Sequence, residues 1–134
     1  MMISSNESIK SILKLAKTIA LVGYSDQPTR PSYQIGQFLR EKGYVVYPVN
    51  PTISEIDGQR CYSSLSEIPK AIDLVNVFRR GEYLPEIVEE CIKLKIKIIW
   101  LQLGIFNEQA QQKAIDAGIQ VIVNRCIRTE LMRS

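Results

Sequence analysis

The chain has 134 residues, of which 46% are hydrophobic and 23% are charged, and its formal net charge is +3. These values are typical of one globular domain, so we expect a single domain over residues 1–134 without disordered segments. The 17 basic residues are nearly balanced by 14 acidic ones, which argues against a nucleic-acid-binding surface. The longest uncharged apolar run, Ile98 to Leu103, is far too short to cross a bilayer, so we expect no membrane partner.

Histidine is absent, and three cysteines lie far apart in the sequence. Without histidine there is no Ser-His-Asp or Cys-His nucleophile, no His-ligated metal and no phosphohistidine. We therefore predict neither a catalytic residue nor a metal site. Cys61, Cys91 and Cys126 form no C-x-x-C pair, and the first ten residues lack the layout of a signal peptide. Both observations predict reduced thiols in a cytoplasmic protein.

The first two predicted elements are a helix and a strand. Ser4 and Ser5 precede apolar residues with helical spacing, which predicts a helix that runs to about Lys17. The apolar run Ile19–Val22 then stops at Gly23. A run of this kind is typical of a parallel strand that is buried on both faces.

A polar loop separates this strand from a second helix. Pro31 suits the first turn of that helix, Ser32 suits its cap, and Gly43 ends it. The segment 45–49 predicts a second strand, in which Pro48 removes one hydrogen-bond donor. The strand is therefore expected to be irregular or to lie at an edge at that point.

The rest of the chain continues the alternation of strands and helices after a long connection at 52–70 with a helical turn near 65–68. Further strands are predicted at 73–78, 98–103 and 121–123, and helices from about 84, over 108–117 and after 126. Short apolar strands separated by helices pair in parallel through crossover connections. The sequence thus predicts a three-layer, Rossmann-like, doubly wound parallel sheet of five strands in the order 3-2-1-4-5.

Polar residues follow most of the predicted strands. The strand ends are Gly23-Tyr24-Ser25, Asn50-Pro51, Phe78-Arg79-Arg80, Gln102-Leu103-Gly104 and Asn124-Arg125-Cys126. In a doubly wound sheet these positions face the ligand crevice, which is expected outside strands 1 and 4. A glycine, a polar loop and a helix N-terminus in succession favour an anion, because the first helical amides lack partners and the helix dipole attracts negative charge. We therefore predict a phosphorylated small molecule as the ligand.

A dinucleotide such as NAD is the obvious ligand for this fold, but two features argue against it. The fingerprint G-x-G-x-x-G is absent, since the next glycine after Gly23 is Gly36, well inside the helix. Strand 2 ends in Asn50-Pro51 rather than in the acidic residue that would bind the ribose hydroxyls. NAD is therefore the second choice.

Several separate stretches identify a closer resemblance. They are IALVGYSDQPTRPS, YPVNP, the run from Gly58 to Pro69, DLVNVFRR, IIWLQLGIFNE and NRCI. With these stretches the chain resembles, over nearly its full length, the small stand-alone CoA-binding domain proteins. They are related to the CoA-binding N-terminal domain of the succinyl-CoA synthetase alpha subunit. The resemblance implies a Rossmann-type fold and coenzyme A as the cofactor.

The resemblance also implies roles by motif position. Ser25, Ser32 and above all Arg30 would hold phosphate, since a guanidinium matches phosphate oxygens in a bidentate geometry. The adenosine would lie at 50–51, the middle of the molecule at 77–79, and the pantetheine at Gln102 and Gly104. The residues expected to bind CoA are Gly23, Tyr24, Ser25, Arg30, Pro31, Ser32, Asn50, Pro51, Val77, Phe78, Arg79, Arg80, Gln102, Gly104, Asn124 and Cys126.

Binding of CoA or an acyl-CoA without catalysis is the function that the sequence favours. Succinyl-CoA synthetase works through a phosphohistidine, which this sequence cannot supply. The alternatives are an NAD(P)-binding oxidoreductase, a CoA-ligase-like subunit that depends on a partner, and a purely structural interaction domain. A homo-oligomer or a protein partner stays open. Cys126 is either an inert buried thiol or one that forms a mixed disulfide with CoA.

Overall fold

Five parallel strands form the central sheet of the computed structural model, which describes residues 1–134. They are β1 (Thr18–Val22), β2 (Val45–Val49), β3 (Leu74–Val77), β4 (Ile98–Leu101) and β5 (Gln120–Val123). Every neighbouring pair in this sheet is parallel. All four residues of β3 are buried, as expected for a strand with a helical layer on each face.

Five α-helices connect or flank these strands. They are α1 (Asn6–Leu15), α2 (Pro31–Glu41), α3 (Leu84–Lys93), α4 (Glu108–Asp116) and α5 (Ile127–Arg133). Short 3-10 turns lie at Leu65–Glu67 and Gly81–Tyr83, and an antiparallel ribbon pairs Glu55–Ile56 with Gln59–Arg60. No helix combines the length and the apolar character that crossing a membrane requires.

Two hydrophobic cores cover the two faces of the sheet. One contains Val22, Val75 and Val77 and packs against α3 and α4. The other contains Leu21 and Trp100 and packs against α1, α2 and α5. Adjacent strand residues thus point to opposite cores, as the period of two requires. The predicted three-layer α/β class is confirmed.

The strand order is 2-1-3-4-5, so the predicted order 3-2-1-4-5 is wrong. The connection from β2 to β3 crosses back over β1 instead of continuing outward, and β3 lies between β1 and β4. The winding therefore reverses between β1 and β3, and the crevice lies outside this pair rather than outside strands 1 and 4.

Pro48 explains why β2 lies at the edge. Its carbonyl accepts from the amide of Tyr62 at 2.9 Å, on the side of β2 that faces away from β1. The N–H and C=O groups of one strand residue point the same way, so the donor that proline lacks would also face this edge. Pro48 thus removes no hydrogen bond between β1 and β2. In the middle of the sheet it would have left one carbonyl without a donor.

Side chains cap two of the helices, whereas Ser32 does not take the cap position predicted for it. Ser5 caps α1 by accepting from the amide of Ser8, and Asn107 caps α4 by accepting from the amide of Ala110. Ser32 does not cap α2, because this helix begins at Pro31 and Arg30 occupies the cap position without a side-chain hydrogen bond. The hydroxyl of Ser32 is therefore available to the loop before the helix.

Candidate functional site

Gly23 brings the end of β1 into contact with the end of β3. It has a φ of +90°, and a Cβ atom at this position would lie 2.7 Å from the carbonyl oxygen of Phe78. Both the left-handed backbone and the close approach exclude a side chain. The first loop, residues 23–30, therefore leaves the sheet where the winding reverses.

Tyr24 anchors this loop in the core. Its side chain is fully buried, and its ring fills the space above Gly36 on α2. The Tyr24 hydroxyl accepts from Nη1 of Arg40 at 3.0 Å, so the buried oxygen is satisfied. Burial is the largest influence on this hydroxyl and raises its pKa. The side chain of Tyr24 is thus a structural anchor that points away from the crevice.

Ser25 and Ser32 hold the loop against the start of α2. The amide of Ser25 donates to the Ser32 hydroxyl at 3.0 Å, and the amide of Gln27 donates to the Ser25 hydroxyl at 3.1 Å. The first-turn amides of Ser32 and Tyr33 have no acceptor within the helix, so they are available to an anion. The Arg30 side chain is exposed and makes no ion pair. This region therefore offers a cation and free amides at one place.

Asn50 connects the first loop to the segment after β2. Its Nδ2 donates to the carbonyl of Tyr24 at 3.0 Å, and its Oδ1 accepts from the amide and the hydroxyl of Thr52. Because both ends of the amide are engaged within the protein, Asn50 positions the surrounding backbone.

A cavity of about 720 Å³ lies at the carboxyl end of the sheet, on the face that carries α2 and α5. Its volume is in the range that small-molecule sites occupy. The predicted residues that line it are Gly23, Ser25, Arg30, Pro31, Ser32, Phe78, Gln102 and Cys126. The lining residues that were not among those expected to bind CoA are Asp26, Gln27, Ile35, Thr52, Ile53, Leu103 and Ile105. We call this space the crevice cavity.

For some of these additional lining residues the sequence contains a feature that places them near the cavity, and for others it contains none. Asp26 and Gln27 lie within the first loop, so its boundaries already implied them. Leu103 and Ile105 follow β4 directly. Thr52 and Ile53 belong to the long connection after β2, which has neither periodicity nor a motif, and only the tertiary structure brings them to the cavity.

A second cavity of about 550 Å³ lies at the same edge of the sheet but on the face of α3. It contains the predicted residues Pro51 and Arg79 together with serines of the 63–66 segment. The guanidinium of Arg79 lies over the ring of Tyr83, with its carbon 4.1 Å from the ring centroid. Pro51 and Arg79 thus line this second cavity and not the crevice cavity.

The remaining predicted residues line neither of these two cavities. Val77 is fully buried and packs toward α3 and α4, because it alternates with Phe78 along the strand. Arg80 extends into solvent, where it lies 3.7 Å from a carboxylate oxygen of Glu82. The amide of Gly104 donates to Oδ1 of Asn124 at 2.9 Å, which joins two loop residues to each other.

Cys126 differs from the other two thiols. It is half-buried at the crevice cavity, whereas Cys61 and Cys91 are buried. Burial raises the pKa of Cys61 and raises that of Cys91 further. At Cys126 burial also acts to raise the pKa, but hydrogen bonds from Thr129, Gln102 and the Arg128 amide outweigh it and lower the pKa below its usual range. This thiol is therefore the most readily ionised of the three.

Few charged side chains line the crevice cavity. The only charged side chains that line the crevice cavity are Asp26 and Arg30, and both are exposed. Neither makes an ion pair with another side chain. Gln102 is buried, and its Oε1 accepts from the amide of Ile127 at 3.0 Å, so it orients the start of α5.

Curated relatives of the chain include both a short protein and parts of large enzymes. The chain is 44% identical over 124 residues to the uncharacterized protein YneT of Bacillus subtilis, covering 92% of each chain. It is also 37% identical over 121 residues to acetate–CoA ligase [ADP-forming] I of Archaeoglobus fulgidus. That match covers 83% of this chain but only 18% of the ligase.

Solved structures show the same fold at comparable identity. A hypothetical protein from Pyrococcus horikoshii superposes with a TM-score of 0.94 at 40% identity, covering 97% of this chain and 92% of that chain. A protein from Thermus thermophilus, at 33% identity, covers 97% of this chain and 98% of that chain with a TM-score of 0.92. The family model described as CoA binding domain matches residues 17–132. The chain is therefore a member of the CoA-binding domain family.

Proposed function

We propose that the protein binds coenzyme A or an acyl-CoA in the crevice cavity and performs no catalysis of its own. The observation that carries this proposal is the juxtaposition of Arg30 with the free amide of Ser32 at a cavity of about 720 Å³, in a domain of the CoA-binding family. Amides at a helix N-terminus and a guanidinium are suitable donors for phosphate oxygens.

The cavity residues fit the two chemical halves of CoA. The hydrogen-bond donors of the first loop and of α2 suit the phosphates of CoA. Binding of CoA does not require an acidic residue that would bind ribose hydroxyls. Apolar side chains from Ile53, Phe78 and Ile105 suit the pantetheine chain. Cys126, which also lines the cavity, suits a position near the thiol. When bound, CoA would supply the thioester chemistry, and this chain would hold and orient it.

Asp26 is the one feature of the cavity that opposes phosphate binding. Its carboxylate has the same sign of charge as the phosphates and lies four residues from Arg30 in the same loop. Because both side chains are exposed, salt screens the two effects similarly. Substitution of Arg30 and substitution of Asp26 should therefore change the affinity for CoA in opposite directions.

Calorimetric titration with CoA, dephospho-CoA and NAD tests the proposal. We expect CoA to bind, dephospho-CoA to bind more weakly and NAD to bind weakest. Binding of NAD without binding of CoA would overturn the proposal. A protein that binds none of the three, with no ligand-dependent rise in melting temperature, would instead be a structural interaction domain.

Two charge variants locate the phosphates. Arg30→Ala should weaken CoA binding about tenfold, the effect of one charge-assisted hydrogen bond. Asp26→Asn should strengthen binding about twofold at low salt and have no effect at high salt. Lys10→Ala, which removes an exposed cation on α1, is the matched control. Equal weakening by Arg30→Ala and Lys10→Ala would place the phosphates elsewhere.

A subunit of an acyl-CoA ligase is the second candidate function. The similarity to ADP-forming acetate–CoA ligases favours it, although the chain spans less than a quarter of the length of these relatives. Because the sequence has no histidine, any phosphohistidine step would require another polypeptide. Acyl-CoA formation from acetate, ATP and CoA by the protein with a co-purified partner, and by neither alone, would favour this candidate.

A further inference from the structure

The crevice cavity has two walls that are far apart in the sequence. One wall is formed by the first loop and the start of α2, where Pro31, Ser32 and Ile35 line the cavity. The other wall contains Thr52 and Ile53, just before the ribbon 55–60. The width of the cavity therefore depends on the hydrogen bonds of Thr52 to Asn50 and on what holds the ribbon against α2.

Asp57 joins the ribbon to α2. It lies at the turn of the ribbon with a φ of +51°. Its Oδ2 accepts a hydrogen bond from the hydroxyl of Tyr33 and another, at 3.1 Å, from Nε2 of Gln37. Tyr33 and Gln37 are one turn apart on α2, so a single carboxylate oxygen fixes the ribbon to one face of this helix.

The ring of Tyr33 is held by a second contact. Its ring lies edge-to-face against Tyr24, with the centroids 6.2 Å apart and an interplanar angle of 87°. Tyr24 in turn is fully buried, and its hydroxyl accepts a hydrogen bond from Arg40. The contact with Asp57 thus connects the ribbon to the same anchor that holds the first loop.

The ribbon has other attachments that keep it folded without Asp57. Ile56 is 1% exposed and belongs to the core beneath α2. Nε2 of Gln59 donates to the carbonyl of Val46 at 2.9 Å. Loss of the Asp57 carboxylate would therefore free the tip of the ribbon and the adjoining wall without unfolding the segment.

We propose that Asp57 is a positioning residue of the ligand site, which sets the separation of the cavity walls through Tyr33 and Gln37 although it does not line the cavity. This inference rests on the proposed binding of CoA. The physical basis is preorganisation, since a wall that is already held in place loses less conformational freedom when the ligand binds.

Calorimetric titration with CoA compares wild type with Asp57→Ala, Asp57→Asn and a control. Asp57→Ala should weaken binding about fivefold, the equivalent of one ordinary hydrogen bond. Asp57→Asn should stay within about twofold of wild type, because its amide oxygen still accepts from Tyr33 and asparagine tolerates a positive φ. The control is Asp116→Ala, which removes an exposed carboxylate that accepts from Gln112 at 2.8 Å on α4, away from the cavity.

Hydrogen exchange of the ligand-free proteins supplies a readout that does not require CoA. The backbone amides of Thr52 and Ile53 should exchange faster in Asp57→Ala than in wild type or Asp116→Ala. Equal affinities of Asp57→Ala and Asp116→Ala for CoA would overturn the inference, as would failure of Asp57→Asn to restore binding. If wild type binds no CoA, the proposed function fails, and hydrogen exchange alone tests the role of Asp57. Faster exchange at Thr52 and Ile53 in Asp57→Ala than in wild type would then support positioning by Asp57, and unchanged exchange would refute it.

Discussion

Replacing Gly36 by alanine tests how the first loop is anchored. Gly36 lies inside α2, where alanine is normally the better helix former by about 0.5–1 kcal/mol. A Cβ atom at this position, however, would lie 2.3 Å from both Cζ and the hydroxyl oxygen of Tyr24. Ordinary contacts of a Cβ atom begin at 3.4 Å, so the ring and the helix would have to separate by about 1.1 Å.

The cost of this separation exceeds the gain in helix propensity. Overpacking of a core costs about 1–3 kcal/mol. Displacement of the ring would also weaken the 3.0 Å hydrogen bond from Arg40 to a hydroxyl that is buried, at about 1 kcal/mol. We expect Gly36→Ala to lower the free energy of unfolding by about 2 kcal/mol in total, and the melting temperature by about 6 °C for a domain of this size.

Urea and thermal unfolding of four proteins measure this effect. They are wild type, Gly36→Ala, Tyr24→Leu and the double variant. In the Tyr24→Leu background the added methyl group no longer meets the ring, so Gly36→Ala should be neutral or stabilising by up to about 1 kcal/mol. A Gly36→Ala variant that is more stable than wild type, or two substitutions whose effects simply add, would refute the close contact with Tyr24.

Two further predictions concern the thiols and one buried amide. Iodoacetamide at neutral pH should modify Cys126 well before Cys61 or Cys91, because the thiolate is the reactive form and only Cys126 has a lowered pKa. Equal rates at the three sites, followed by peptide mass spectrometry, would contradict this. Asn76 is fully buried in β3, and neither atom of its amide has a hydrogen-bond partner. Asn76→Val should therefore stabilise the fold by about 1 kcal/mol without altering CoA affinity, whereas a loss of stability in urea unfolding would show that the amide is satisfied.

Much of the candidate site was predictable because it depends on local chemistry. The apolar run of β1, its abrupt stop at Gly23 and the start of α2 at Pro31 are properties of adjacent residues. The same is true of Asn107, whose side chain caps α4 as its position in the sequence indicates. Once the fold class is known, parallel strands bring their carboxyl ends to one edge, so the residues that follow them lie near a common crevice.

The sequence contained some signals that the prediction did not use. Pro48 already indicated an edge strand, and an edge position for β2 is incompatible with the order 3-2-1-4-5. Likewise, the alternation of side chains along β3 requires that Val77 and Phe78 face opposite sides of the sheet, so only one of them lines the crevice cavity. The predicted order of the strands is therefore wrong for a reason that the sequence itself contained, whereas a role for Val77 in binding stays a prediction.

The sequence by itself determined the alternation of strands and helices, the polar first loop and the resemblance to CoA-binding domains. Each of these features depends on residues that are neighbours along the chain. Tertiary structure alone decided that the Tyr24 side chain points inward over Gly36, and that the side-chain amide of Asn50 donates to the backbone carbonyl of Tyr24. It also decided that Thr52 and Ile53 line the cavity. These facts depend on contacts between distant segments, whose sequences have no periodicity that reports the contact. The crevice cavity is therefore a product of packing, while the chemistry of its first loop is a product of the sequence.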